Sequence, residues 1–190
     1  MHVGMGSVFQ GWGGDLSDKQ VYEADLYLAD LAEPLGFESI WGVEHHFTDY
    51  TMCPDIMQFL TYMAGRTTHA KLGSMVAVLP WHDPVRLAEQ ILMLDNLSDG
   101  RLILGIGRGT GKVEFDGLRV EMSKARATFV ECAEAILSAI ETGSWSTTAR
   151  SSTSPASSCA RRRSGRSGTG CSRRRSRRSR PRSWPSWAPA

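Results

Sequence analysis

Within its first 145 residues the chain repeats one pattern four times: a short apolar run, a loop, then a helical stretch. The apolar runs are Val3–Phe9, Ser39–Val43, Leu72–Leu79 and Leu102–Ile106. They are near-continuously apolar and do not alternate, as parallel strands covered on both faces require. Parallel strands joined through helices cross over right-handedly, so the repeat restricts the body to an α/β fold around a parallel sheet. Four units fit either one half of an eight-stranded barrel or a small doubly wound domain. Periodicity alone does not choose between them.

The helical stretches carry their own punctuation. The first opens with a capping box, Ser17 and Gln20, and shows an apolar stripe of Val21, Ala24, Leu28, Leu31 and Leu35 before Gly36 stops it. The second, near Pro54–Arg66, has a weaker pattern. The third has Asp83 as N-cap, Pro84 as its first residue and Gly100 past its end. The fourth runs from about Ser123 to Thr142, with Phe129, Ile136 and Ile140 facing inward, and ends at Gly143.

Polar residues gather after the apolar runs. Glu44-His45-His46-Phe47 follows the second. Adjacent histidines at a strand end point to opposite sides, so one can face a central cavity while the other packs outward. The same pair also reads as a capping or surface feature. His82, in the turn from Leu79 to Pro84, reads as structural. Gly105 through Gly111 forms a loop of alternate glycines that lets backbone approach a flat or anionic ligand, and Arg108 supplies a fixed positive charge there. It is not a dinucleotide fingerprint, because the third glycine would fall on Thr110 and no helix is expected to open there. Cys53, Cys132, Cys159 and Cys171 have neither zinc-site nor redox spacing, so no metal site is expected. His45, Pro80 and Arg108 all follow the carboxyl ends of consecutive strands, the face on which barrel enzymes build their sites.

In order and spacing, these segments resemble the bacterial luciferase-like flavin monooxygenases over residues 1–145. The resemblance is carried by Gly36-Phe37-Glu38-Ser39-Ile40-Trp41 leading into Glu44-His45-His46-Phe47-Thr48. It continues through Val78-Leu79-Pro80 and His82-Asp83-Pro84-Val85-Arg86. Leu94-Asp95 and Ser98-Asp99-Gly100-Arg101, running into the Gly105–Gly109 loop, complete it. It implies the N-terminal half of a (β/α)8 TIM barrel, four βα units in all. It further implies a monooxygenase that uses reduced flavin (FMN) and O2 to oxidise a small organic substrate such as an aldehyde. A flavin reductase would supply the reduced flavin, and full-length members would pair as dimers. The deazaflavin F420, used by some relatives for oxidoreductase chemistry, stays open as the alternative cofactor. By position, His45 matches the family's catalytic histidine, with Glu44 and His46 beside it. Met75 and Val76 match a non-prolyl cis peptide that supports the flavin ring. Arg108 matches an arginine near the flavin phosphate, between Gly107 and Gly109. Gly107 departs from the luciferases, which carry a reactive cysteine there, so light emission is not implied.

Charge divides the chain at about Ser146. Residues 1–145 hold all 20 acids against ten lysines and arginines, a formal charge of −10; residues 146–190 hold 12 arginines, no lysine and no acid, giving +12. Taken literally, this is a disordered basic tail able to bind a polyanion by charge alone, without sequence-specific nucleic-acid recognition. Arginine without lysine is also what GC-rich DNA yields in the wrong frame. Shifting the frame by two bases converts Trp184-Pro185 to Ala and Trp187-Ala188 to Gly. Cys171 to Ser183 then permits Leu-Ala-Ala-Ala-Val-Ser-Pro-Glu-Ser-Ala-Lys-Ile, and the reconstructed stretch, ending Met-Ala-Glu-Leu-Gly-Ala-Gly, resembles the family's fifth strand and phosphate-binding loop. The expectation is an out-of-frame tail on a half-barrel, inactive and unable to hold flavin as written. A non-catalytic doubly wound domain, or a scaffold presenting a nucleic-acid-binding tail, are the alternatives from other classes. With no signal-like N-terminus and no long apolar segment, a cytoplasmic protein without membrane partners is expected.

Overall fold

The computed structural model describes residues 1–11 and 14–143. The boundary expected at residue 145, and the disorder, out-of-frame origin and polyanion binding expected of residues 146–190, lie outside the described residues. In chain order the elements are β1 (Gly4–Ser7), α1 (Asp18–Ala32), β2 (Ser39–Gly42), α2 (Ile56–Ala64), β3 (Lys71–Ser74), β4 (Ala77–Val78), α3 (Pro84–Leu97), β5 (Leu102–Ile103), β6 (Ile106–Gly107), α4 (Lys112–Gly117) and α5 (Ala125–Thr142). Short 3₁₀ turns sit at Leu79–Trp81 and Met122–Lys124.

All pairings are parallel, and the main sheet has the order β1-β2-β3-β5. The strands follow one another without a reversal. A doubly wound sheet reverses order at its switch point, so that alternative is excluded and the arc of a barrel remains. The third and fourth apolar runs are each split in two. β4 and β6 form a separate two-stranded ladder, Ala77 opposite Ile106 and Val78 opposite Gly107. Between the ladders lie Met75 and Val76, joined by a cis peptide bond. The Ser74 hydroxyl bridges the gap, donating to the Gly105 carbonyl at 2.8 Å and accepting from its amide at 2.9 Å.

The core lies between sheet and helices. Ile40 from β2 and Leu72 from β3 meet Ile56, Leu60 and Met63 of α2 and Leu87, Ile91 and Leu94 of α3, all of them fully buried. Each such side chain contributes roughly 1.5–3 kcal/mol by leaving water. Trp41 occupies the opposite face of β2, its indole across Gly4 and Gly73 of the neighbouring strands, where any Cβ would collide with it. Helix boundaries follow the expected caps. Asp83 accepts the Arg86 amide at 2.9 Å, the Ser17–Gln20 capping box forms, and Gly143 closes α5 in the left-handed region at φ 67°.

One expected stripe is corrected. In α1 the buried residues are Val21, Ala29 and Ala32, whereas Leu28 and Leu35 are exposed. Asp25, half-buried and close to the Val8 and Phe9 amides, takes part of the inward face instead. The small Ala29 and Ala32 then let it lie close to the sheet. α4 is a second correction, because a helix does open just after the glycine loop. At six residues it is too short to show a period.

Candidate active site

The carboxyl ends of β2, β4 and β6 bring together three groups that are far apart in sequence. Glu44 lies just beyond β2, with its side chain fully buried. Its Oε2 accepts the Val78 amide at 2.8 Å, and its Oε1 meets Nε2 of His82 at 2.7 Å and Nε2 of His46 at 3.3 Å. Burial opposes the charge on Glu44, yet these donors outweigh it and hold the carboxyl below its ordinary value. Burial likewise opposes a charged His82, and its bond to Glu44 overcomes this and raises its pKa. His82 is thus no isolated turn residue but the partner of the buried carboxylate.

The second group is His45 with Glu114. Nδ1 of His45 lies 2.8 Å from Glu114 Oε1, and the backbone amide of His46 donates to the same oxygen at 3.1 Å. The Glu114 side chain is 4% exposed, that of His45 37%. Glu114 comes from α4, in its first turn, and its carboxylate packs over Gly111. No motif in the sequence singled it out. The available signal was an acid just past the glycine loop, where the chain turns back toward the strand ends.

Aromatic rings frame the histidines. Tyr50 stands edge-on to His45 at 5.7 Å, and Trp81 edge-on to His46 at 5.4 Å. Phe9 and Phe47, in the loops after β1 and β2, hold the left-handed region at φ 52° and 60°, a conformation that bulky residues adopt only where their surroundings enforce it. Phe47 rests on the bare Cα of Gly117.

The third group is the glycine loop. A Cβ on Gly107 would collide with Val76, and one on Gly109 would crowd Val78 and Trp81. Val76, of the cis peptide, thus leaves no room for a side chain at 107 without moving. Arg108 is exposed and makes no hydrogen bond or ion pair with the described residues, and Met75 is half exposed. Two concavities of about 330 and 450 Å³ flank α2 on the helical side, lined in part by Tyr62 and Gln58. They lack the convergent charged groups of the strand ends, which make the better site. No cluster of His, Cys, Asp and Glu among the described residues is disposed to hold a metal. No helix among them is long and apolar enough to cross a membrane.

Residues 1–164 match the family model described as luciferase-like monooxygenase. The chain belongs to that family. Among curated members, it is 34% identical over 100 residues to the oxygenase component of the flavin-dependent trigonelline monooxygenase of Acinetobacter baylyi, covering 53% of this chain and 28% of that one. It is 33% identical over 109 residues to the alkanal monooxygenase alpha chain of Aliivibrio fischeri, 57% of this chain and 31% of that one. The chain thus spans about a third of the length of the luciferase-like relatives it matches. Among solved structures, the monooxygenase RslO1 from Streptomyces bottropensis superposes with a TM-score of 0.72 at 34% identity, over 78% of this chain and 46% of that one. The fold alone is shared with two others. One is the FMN complex of the oxygenating constituent of a Pseudomonas putida 3,6-diketocamphane monooxygenase, at TM-score 0.71 and 20% identity over 79% and 43% of the two chains. The other is an F420-dependent secondary alcohol dehydrogenase, at 0.62 and 16% over 79% and 45%.

Proposed function

We propose that this chain carries the histidine-bearing half of the mouth of a flavin-dependent monooxygenase that oxidises a small organic substrate, such as an aldehyde, with reduced FMN and O2. The observation that carries the reading is the pairing of His45, just beyond β2, with Glu114 of α4, just beyond β6, at the carboxyl ends of the parallel strands, together with Arg108, which has no partner among the described residues, on the same face. His45 is the residue assigned to touch substrate and move a proton, since its ring is partly exposed and only one of its nitrogens is engaged. Glu44 and His46 have a holding role, because the carboxylate is buried and its oxygens are occupied by His46, His82 and Val78. Arg108 would receive the cofactor phosphate, with the Gly107 and Gly109 backbone beside it and Met75–Val76 under the ring. The described residues fit such a group: an exposed cation without a partner among them stands in the loop beyond β6, flanked by partly exposed glycine backbone. When bound, reduced flavin supplies the electrons and the site of reaction with oxygen. The reading also includes a separate reductase, dimers, and a reducing cytoplasm in which Cys53 and Cys132 stay free.

The test compares the gene as written with a version continued in the alternative frame after codon 145, each titrated with FMN and F420 and assayed for O2 uptake with long-chain aldehydes. The continued version is expected to bind FMN and consume O2, and the chain as written to do neither. Preference for F420 would move the reading to the deazaflavin oxidoreductases. Failure to bind either cofactor would remove it.

A further inference from the structure

We propose that Glu114 is the positioning residue for His45: its buried carboxylate accepts a hydrogen bond from Nδ1–H of the imidazole and leaves Nε2 as the ring's proton acceptor at the strand ends. The consequence for catalysis rests on the function proposed above; the tautomer itself does not.

A buried carboxylate needs donors. Oε1 of Glu114 has two, His45 Nδ1 at 2.8 Å and the His46 amide at 3.1 Å. An ionised carboxylate only accepts, so Nδ1 must carry a proton, and a neutral ring then has its lone pair on Nε2. No other described residue bonds that nitrogen. The neighbouring glutamate makes the opposite choice. Glu44 engages Nε2 of both His46 and His82, so those rings carry their protons there. Two glutamates thus impose opposite tautomers on adjacent histidines, and of the three rings only His45 offers Nε2 as a base. The His46 amide on the same Glu114 oxygen ties the backbone of the pair to α4, and Tyr50 edge-on to the ring limits its rotation.

The rival reading is that Glu114 merely latches α4 onto the loop after β2. Tautomer populations separate the two. The 190-residue chain, labelled with ¹⁵N in its imidazoles, would be measured by long-range ¹H–¹⁵N correlation at mildly alkaline pH, with His45 assigned by its loss in H45Q. The expected result is predominantly the Nδ1–H form for His45, opposite to free histidine in water. E114Q, which keeps an acceptor oxygen, should retain that form, and E114M, which has none, should revert to Nε2–H. A predominantly Nε2–H ring in the parent chain overturns the proposal whatever the variants do, as does an unchanged tautomer in E114M. In the version continued in the alternative frame, E114M should lose about a hundredfold in turnover with FMN affinity little changed. A reverted tautomer without loss of turnover would overturn the proton role of His45 and leave its orientation by Glu114 standing.

Discussion

At the amino end of the sheet, Arg101 and Glu33 bond almost wholly to backbone. Arg101 donates to the carbonyls of Ser98, Ala70 and Ala64 and to the Thr67 hydroxyl. Glu33 accepts the amides of Thr68, His69 and Ala70. Burial works against its charge, but the three amides hold the Glu33 carboxyl below its ordinary value. At the carboxyl end, Glu44 bonds to two histidine rings and one backbone amide, and Glu114 to one ring and one amide. A charge tied to backbone fixes the path of the chain and has no further freedom. A carboxylate tied to an imidazole fixes a ring while leaving that ring's other nitrogen for chemistry. This agrees with barrels, which keep stability at the bottom and reaction at the top.

The largest effect expected is from Glu44→Ala, which leaves the Val78 amide and two histidines without their acceptor. Stability should fall by about 3 kcal/mol or more, measured by denaturant unfolding. A loss under 1 kcal/mol would show that the upper network is solvated and the contrast between the two ends overdrawn.

Arg101→Ala comes next, at about 2 kcal/mol, since its removal strands carbonyls before β3 and at the end of α2. In the version continued in the alternative frame it should leave FMN affinity alone once folded. A specific loss of cofactor binding would break the division of roles.

Titration sharpens the comparison further. The depressed pKa of Glu44 means its contribution is complete above the ordinary 4.5 and lost as pH falls through the folded value. The raised pKa of His82 means its contribution is complete below the ordinary 6.5 and lost as pH rises through the folded value. The pair therefore stabilises fully between those limits and declines on either side. His82→Gln should flatten the alkaline decline in thermal unfolding, at a cost of about 1 kcal/mol inside the window. An unchanged alkaline slope would dissociate His82 from it.

Arg108→Ala should change stability by no more than about 0.5 kcal/mol, as an exposed side chain without a partner among the described residues. Calorimetry on the version continued in the alternative frame should still show about a tenfold weaker FMN affinity. Smaller still is the reactivity of Cys53, whose thiol burial pushes up to about 12, with Glu44 and Asp55 adding to it. Alkylation under native conditions should be negligible. Rapid labelling would mean that the loop after β2 opens.

Local chemistry made most of the fold legible. Caps at Ser17, Asp83 and Gly143, continuous apolar runs and the alternation of strand and helix are short-range signals, and the chain folds as they direct. Where local signals misled, packing across the fold prevailed: the small Ala29 and Ala32 of α1 are buried against the sheet in place of Leu28, and the Ser74 hydroxyl bridges a break that an apolar run conceals. The positions of His45 and Arg108 after their strands were readable because parallel strands all deliver their carboxyl ends to one face. Their partners were not. Glu114 lies 69 residues from His45 and His82 lies 38 from Glu44, and neither pairing follows from spacing or composition. The sequence by itself determined the elements, their order and the face on which polar residues collect, because those depend on periodicity and capping. Only the tertiary structure decided which carboxylate meets which ring nitrogen, because that depends on where separate loops come to rest when the core packs.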